Sequence, residues 1–172
     1  MIPPAIALFS AMLKEKGHKV EVFDTTYYLV DTGTNSDKAM EDTLAVIPSN
    51  LASRGIKMKE TLWEGDLQIH INKFKPDLIG ISATEDMWEL GEKLLNNIKD
   101  YKVKNNVPVI AGGVFPTFAP ELVIKNEVVD IVCVGEGENA LLDLCEMIKN
   151  GKKDFSKLTN CWVKTIGPEY LK

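Results

Sequence analysis

Two short stretches, DLIGISAT at residues 77–84 and VPVIAGG at residues 107–113, decide the fold of this chain. Each begins with an apolar run rich in β-branched residues. The first ends in the hydroxyl of Ser82 and the second in Gly112-Gly113. The apolar positions between them recur at helical spacing, which predicts two parallel strands joined by a crossover helix. Because ligands of open α/β sheets bind outside the carboxyl ends of the strands, these three residues are candidate binding residues.

The same alternation of strand and helix patterns continues on both sides of these stretches. Apolar periodicity predicts helices over 3–17, 62–74, 86–102 and 140–149. Runs rich in β-branched residues predict parallel strands over 19–24, 78–82, 107–111 and 129–134, with a candidate last strand over 161–163. The predicted fold is α/β, a three-layer α/β/α, flavodoxin-like, doubly wound parallel sheet.

Composition narrows the class of protein. The chain has 172 residues, of which 45% are hydrophobic, and this suits one globular domain with a sizeable core. The net charge of -5 and the scattered lysines argue against a nucleic-acid surface. No apolar run approaches ~18 residues and no secretory signal is visible, so we predict no membrane span. Three widely spaced cysteines (Cys133, Cys145 and Cys161) indicate a reducing, cytoplasmic compartment without a disulfide framework.

Two further strand ends carry polar or flexible residues. Gly135-Glu136-Gly137-Glu138 follows the strand at 129–134, and Asp24 follows the strand at 19–24. Each has a plainer interpretation as well, since the glycine-rich loop can be a turn with a capping acid and Asp24 can cap a turn. Ser82 and Gly112-Gly113 can likewise be ordinary strand-to-helix turn chemistry. The cysteines lack metal-ligand spacing and no nucleophile–base pair is evident, so the sequence assigns no catalytic and no metal-binding residue.

Four pieces of the chain carry a resemblance to a known family. They are residues 3–24, 76–82, 111–121 and 129–138. In this order and on these strand ends, they resemble the cobalamin (vitamin B12)-binding domain of B12-dependent radical SAM proteins. The resemblance covers roughly residues 3–150. Ser82 and Gly112-Gly113 resemble the Ser-x-Leu and Gly-Gly parts of the wider B12-binding signature, with Thr84 where Leu often stands.

The resemblance implies a role for each strand end. Ser82 and Thr84 would hydrogen-bond the nucleotide tail of cobalamin, and the two glycines would leave room for it. The segment 114–117 would approach the corrin ring, and the 135–136 loop would line its far side. The implied cofactor-binding set is Asp24, Ser82, Thr84, Gly112, Gly113, Val114, Phe115, Pro116, Thr117, Gly135 and Glu136.

The chain departs from the family pattern in three ways. It lacks the Asp-x-His-x-x-Gly motif whose His binds cobalt, and Phe115 stands where relatives often have His. It begins at the helix that follows the family's first strand, which lies in the centre of a sheet ordered 2-1-3-4-5. We therefore expect strands 19–24 and 78–82 to flank a gap. The gap would be closed by direct pairing, by residues 53–61 or 161–163, or by a second copy of the chain in a homodimer.

The resemblance also implies what the chain does. We expect a single domain over 1–172, with a core over 3–150 and a segment over 151–172 that leads toward an absent radical SAM domain. The Cys-x3-Cys-x2-Cys motif of that domain is missing, so S-adenosylmethionine and the [4Fe-4S] cluster would belong to it, and this chain alone would show no turnover. The expected function is the cobalamin-binding module of a methyltransferase-like enzyme. The alternative is a flavodoxin-like scaffold that no longer binds cobalamin and serves interaction or regulation.

Overall fold

The computed structural model describes residues 3–28, 30, 42–45, 52–165 and 170–171. Its α-helices are α1 (Pro4–Glu15), α2 (Trp63–Phe74), α3 (Trp88–Asn105), α4 (Val114–Phe118), α5 (Pro120–Val123) and α6 (Glu138–Lys149), with a short 3-10 helix at Ala52–Arg54. Its strands are β1 (Ile79–Ser82), β2 (Val109–Gly112), β3 (Ile131–Cys133), β4 (Cys161–Lys164) and β5 (Tyr170–Leu171). None of the described helices is long and apolar enough to cross a membrane.

The five strands form one sheet in the order β1-β2-β3-β4-β5. Strands β1, β2 and β3 run parallel, with Ser82 opposite Gly112 and Ala111 opposite Val132. Strand β4 pairs antiparallel with β3, and β5 pairs antiparallel with β4. The predicted parallel strands at 78–82, 107–111 and 129–134 are therefore confirmed. The predicted last strand at 161–163 corresponds to β4, which joins the parallel strands in the antiparallel direction.

Helices cover the two faces of the sheet. On one face, Leu67 of α2 and Ile98 of α3 join Val109 in a buried apolar cluster. On the other face, Leu144 of α6 joins Ile131 in a second cluster, and α1 packs beside α6. Because the strands alternate their side chains between these faces, the chain forms the predicted α/β/α layers. We call the two surfaces the α2/α3 face and the α6 face.

The predicted strand at 19–24 is wrong. Residues 18–25 form no strand, and Phe23 instead stacks on Tyr28 with a distance of 5.7 Å between ring centroids. Tyr28 is buried and donates a hydrogen bond of 2.8 Å to Asp66 of α2. Phe23 also contacts the ring of His70 in α2, with 5.8 Å between ring centroids, so this side chain packs toward α2 while the segment pairs with no strand.

The outer edge of β1, which we call the open edge, pairs with no other described residue. Of the predicted ways to fill the gap, direct pairing with 19–24 is wrong, and residues 161–163 pair with β3 on the opposite side. Residues 53–61 contain no strand and do not fill it either. A homodimer through this edge stays a prediction.

The α6 face gives a direct test of the fold. Leu144 is fully buried against β3, whereas Leu122 of α5 is 58% exposed. We expect Leu144→Ala to lower the free energy of unfolding by about 2–5 kcal/mol, because it leaves a cavity in the second cluster. Leu122→Ala is the matched control and should change stability by less than about 0.5 kcal/mol. Equal midpoints of the two variants in urea denaturation would contradict this packing.

Candidate functional site

The carboxyl ends of β1 and β2 are tied together by backbone hydrogen bonds. Ala83 N donates to the carbonyl of Gly112 at 3.2 Å, and Phe115 N donates to the carbonyl of Ala83 at 3.2 Å. The loop after β1 is thus held on both sides by the loop after β2. The structure brings Ser82, Gly112 and Gly113 together, as the sequence predicts.

Gly113 is required by the chain itself. Its φ is 102° and its ψ is -169°, a region that is essentially restricted to glycine. A Cβ atom here would lie 2.8 Å from Ser82 Oγ and 3.0 Å from the backbone N and O of Ala83. The space beside Gly113 is therefore filled by the β1 loop. Gly112 differs, because a Cβ there would meet only Cys133 Cβ, at an ordinary 3.9 Å.

Thr117 joins the second strand end to the third. Its hydroxyl donates to the carbonyl of Gly113 at 2.8 Å and accepts a hydrogen bond from Gly135 N at 3.0 Å. The sequence places Thr117 near a ligand but does not indicate this bridge. Both of its hydrogen bonds are made within the chain, so its visible role is to position the loop that begins at Gly135.

Two hydrogen bonds from the side chain of Asn160, the residue before β4, hold the turn at 135–137. Asn160 Nδ2 donates to the carbonyl of Glu136 at 2.6 Å and to that of Val134 at 3.0 Å. Gly135 has a φ of 84° and no atom within 4 Å of a Cβ position, so its outer side is open. Sequence analysis missed Asn160. The available signal was an Asn directly before a strand, a residue type that tolerates the left-handed φ of 49° found here.

Ser82 and Gly80 lie on the α6 face of β1, and both are exposed. Ser82 Oγ makes no hydrogen bond to any residue in the described part of the chain. Gly80 is opposite Ile110, and a Cβ added to it would contact only Ile110 Cγ2 at 3.8 Å. Gly112, opposite Ser82, has no side chain either. We call the surface formed by Gly80, Ser82 and Gly112 the open strip; it presents backbone without side chains beside the exposed Ser82 hydroxyl.

Thr84 and Glu136 are exposed beside the open strip. The Thr84 hydroxyl donates to the carboxylate of Asp86, which shapes the turn before α3. The loops 82–86, 112–118 and 134–138 carry four acidic residues and no Lys, Arg or His. A polyphosphate would meet no cationic side chain in these loops, whereas a ligand rich in amide and hydroxyl groups could exchange hydrogen bonds with backbone and hydroxyls.

The segment 114–117 divides into buried and exposed residues. Phe115 packs against Trp88 with 5.5 Å between ring centroids, and Pro116 is buried. Val114 is 60% exposed, and Phe118, one helical turn later, is 83% exposed. Val114 is therefore accessible to a ligand, whereas Phe115 and Pro116 support the loop from the core side.

Asp24 acts as a turn cap. Its Oδ1 accepts hydrogen bonds from Thr26 N at 2.9 Å and from Thr26 Oγ1 at 2.6 Å. The hydroxyl of Thr26 is the main reason that the pKa of Asp24 is lowered. These bonds match the interpretation of Asp24 as a turn cap. Because residues 19–24 form no strand, Asp24 does not lie at a strand end. A contact of Asp24 with a ligand stays a prediction.

The fold is an open α/β sheet whose three parallel strands have their carboxyl ends tied together, which is where ligands bind in this class of fold. Residues 62–145 match the family model of the B12 binding domain, a range that contains all three strand-end loops. These residues, just under half of the chain, match the B12-binding domain family. This confirms the family that the sequence resembles.

Two curated relatives match a similar length of the chain. An uncharacterised methyltransferase of Pyrococcus horikoshii is 34% identical over 101 residues, which are 56% of this chain and 21% of the relative. The anaerobic magnesium-protoporphyrin IX monomethyl ester cyclase of Rubrivivax gelatinosus is 28% identical over 105 residues, 60% of this chain and 18% of the relative. The matched region thus spans about a fifth of the length of these relatives.

Solved structures support the fold. The radical S-adenosylmethionine methyltransferase TsrM from Kitasatospora setae superimposes with a TM-score of 0.67 at 17% sequence identity. The match covers 96% of this chain and 26% of TsrM. A second TsrM structure, described as having cobalamin and a [4Fe-4S] cluster bound, gives the same TM-score of 0.67 and covers 27% of that chain.

The geometry at Gly113 and Gly135 predicts different costs for the same substitution. Gly113→Ala should lower the free energy of unfolding by about 3 kcal/mol or more, because it adds backbone strain to a steric clash with Ser82 and Ala83. Gly135→Ala should cost only about 1–2 kcal/mol, since it adds strain in open space. Both values are measured by urea denaturation without any cofactor. If Gly113→Ala costs no more than Gly135→Ala, the clash derived from the structure is wrong.

Proposed function

We propose that this chain binds cobalamin at the carboxyl ends of β1, β2 and β3, with the open strip receiving the nucleotide tail. The observation that carries the proposal is the B12-binding match over residues 62–145, which includes every strand-end loop of the site. The relevant groups are the free hydroxyl of Ser82 and the backbone left bare at Gly80 and Gly112.

The residues present fit such a ligand. The tail of cobalamin is long, polar and slender, and the open strip offers backbone without side chains beside the exposed Ser82 hydroxyl. The corrin ring bears neutral amides, which suits loops without cationic side chains. Thr84, Val114 and the open side of Gly135 border the area above the strip. Glu136 would line its far side, while Phe115, Pro116 and Thr117 would support the loop that approaches the ring.

The chain has few side chains that could coordinate the cobalt ion. Its only two histidines are His18, which follows α1, and His70 in α2, whose Nε2 lies 3.3 Å from Glu21 Oε2. Neither is in a strand-end loop. Bound cobalamin would supply the cobalt chemistry, while this chain would hold and orient the ring.

The proposed context is a larger enzyme. We infer that the chain is the cobalamin-binding module of a methyltransferase-like radical SAM protein, whose separate domain would hold S-adenosylmethionine and a [4Fe-4S] cluster. The family match and the name of the Pyrococcus relative support this proposal, and the TsrM structures supply a fold that occurs beside such a domain. We also propose that the protein is cytoplasmic and that this chain alone shows no catalytic turnover.

Blocking the open strip tests the binding site separately from the fold. We expect Gly80→Val to abolish binding of hydroxocobalamin, because the branched side chain would project from the open strip into the space proposed for the tail. Stability should be retained, since the nearest atom to the new Cβ is at 3.8 Å and valine suits a strand. Ser82→Ala should weaken binding about fivefold, which corresponds to one net hydrogen bond of ~1 kcal/mol. The measurement is an absorbance titration, with stability followed in parallel.

Gly65→Val is the matched control for the strip. Gly65 is exposed on α2, on the opposite face of the sheet, with no atom within 4 Å of a Cβ position. The affinity of the Gly65→Val variant for hydroxocobalamin should equal that of the unmodified chain. If the unmodified chain itself fails to bind, the scaffold alternative is favoured. If it binds and Gly80→Val binds equally well, the tail lies elsewhere.

Cobalt coordination can be tested with the histidines. The double variant His18→Ala and His70→Ala should leave the visible spectrum of bound cobalamin unchanged, because neither imidazole lies at a strand end. Loss of the His70 contact with Glu21 should cost at most about 1 kcal/mol of stability, as expected of a partly exposed pair. A shift of the visible bands in one of the single variants would identify that histidine as a ligand.

A further inference from the structure

Two of the three cysteines face each other across β3 and β4. Cys133 is the last residue of β3 and Cys161 the first of β4, and they are direct partners in the antiparallel register. Both thiols are buried, with exposed fractions of 4% and 5%. The sequence separates these residues widely and does not indicate the contact.

The hydrogen bonds around the pair define its geometry. Val134 N donates to Asn160 O at 2.8 Å, and Lys164 N donates to Asp130 O at 2.9 Å. Because bonded and non-bonded pairs alternate along an antiparallel ladder, Cys133 and Cys161 occupy a non-hydrogen-bonded pair. In such pairs the Cα atoms are about 4.5 Å apart and the side chains are closest, which lies within the range of about 4.4–6.8 Å found for disulfides. An S–S bond can therefore form without a change of register.

The two thiols already interact in the reduced state. A hydrogen bond from Cys161 is the main cause that lowers the pKa of Cys133, and the Asn160 amide, 3.6 Å from Cys133 Sγ, acts in the same direction. The bond to Cys133 raises the pKa of Cys161. The third thiol, Cys145 of α6, is separate, and burial raises its pKa to about 11. We assign Cys133 as the nucleophile of the pair, because the Asn160 amide donates to its sulfur and the thiolate is the reactive form.

A cleft leads from solvent to Cys161, and Cys133 is not among the residues that line it. It has a volume of about 430 Å³ and is lined by Val134, Leu158, Thr159, Asn160, Cys161 and Trp162. A small oxidant can enter a cleft of this size, whereas the low exposure of both sulfurs disfavours a bulky disulfide reagent.

We propose that Cys133 and Cys161 form an oxidation site that reduces hydrogen peroxide to water and closes a cross-strand disulfide. The Cys133 thiolate attacks one oxygen of hydrogen peroxide and the O–O bond breaks. The departing hydroxide combines with the thiol proton to give water, which leaves Cys133 as a sulfenic acid. Cys161 sulfur then attacks Cys133 sulfur, the S–O bond breaks, and hydroxide takes the Cys161 proton as a second water. Two thiols lose two electrons in total, and one peroxide gains them.

The site is independent of cobalamin, although Cys133 lies two residues before Gly135 at the end of the same strand. Its test therefore needs no cofactor. The reduced full chain is exposed to hydrogen peroxide, quenched with catalase, unfolded and alkylated, and its mass is measured. Alkylatable thiols should fall from three to one, with a peptide cross-link between Cys133 and Cys161 that dithiothreitol reverses.

Two variants complete the test. Cys145→Ser keeps the pair and should fall from two alkylatable thiols to none. Cys161→Ser should give no disulfide and should leave Cys133 as a sulfenic acid that dimedone traps. Retention of all thiols in the folded Cys145→Ser chain, at a peroxide dose that oxidises free cysteine, would overturn the proposal. So would a disulfide in the unmodified chain that includes Cys145, or one that forms only after unfolding.

Discussion

The close approach of Gly113 to the end of β1 is the constraint on which the rest of the site depends. It fixes the distance between the first two strand ends, because any side chain at this position would push Ser82 and Ala83 away. The same loop carries Thr117, whose hydroxyl holds the turn that begins at Gly135. One glycine in a backbone conformation that other residues rarely adopt thus sets the relative positions of three loops from three strands.

Most of the fold could be predicted from sequence, because it rests on local periodicity. Helices α1, α2, α3 and α6 and strands β1, β2 and β3 all occur within a few residues of their predicted bounds. The predicted strand at 19–24 is wrong for a nonlocal reason, since Phe23 packs with Tyr28 and with His70 of α2 and the run does not pair with the open edge of β1. The antiparallel direction of β4 also depends on a distant partner, β3, which no local pattern records.

The sequence predicts that Ser82, Gly112 and Gly113 come together, but it predicts only part of the contacts that hold them. Residue type identifies Ser82, Gly112 and Gly113, because hydroxyls and missing side chains at strand ends are readable from sequence. Residue type does not distinguish a glycine that the close packing of the chain requires from a glycine that leaves space for a ligand. The structure separates them, since the Cβ position is filled at Gly113 and nearly free at Gly80. Asn160 could not be assigned because its role consists of hydrogen bonds to carbonyls 24 and 26 residues away.

The two faces of β1 indicate what should cover the open strip. Ile79 and Ile81 are packed against the cluster on the α2/α3 face, whereas Gly80 and Ser82 on the α6 face are exposed. An apolar helix laid over that face would gain little, because the two residues offer almost no apolar area, and it would desolvate the Ser82 hydroxyl without a partner. Leaving a buried hydroxyl unpaired costs about 1–3 kcal/mol. A slender polar ligand avoids this cost because it can hydrogen-bond the Ser82 hydroxyl. It can also lie close to the backbone at Gly80, which has no side chain. The composition of β1 therefore favours a ligand over further protein packing on the open strip.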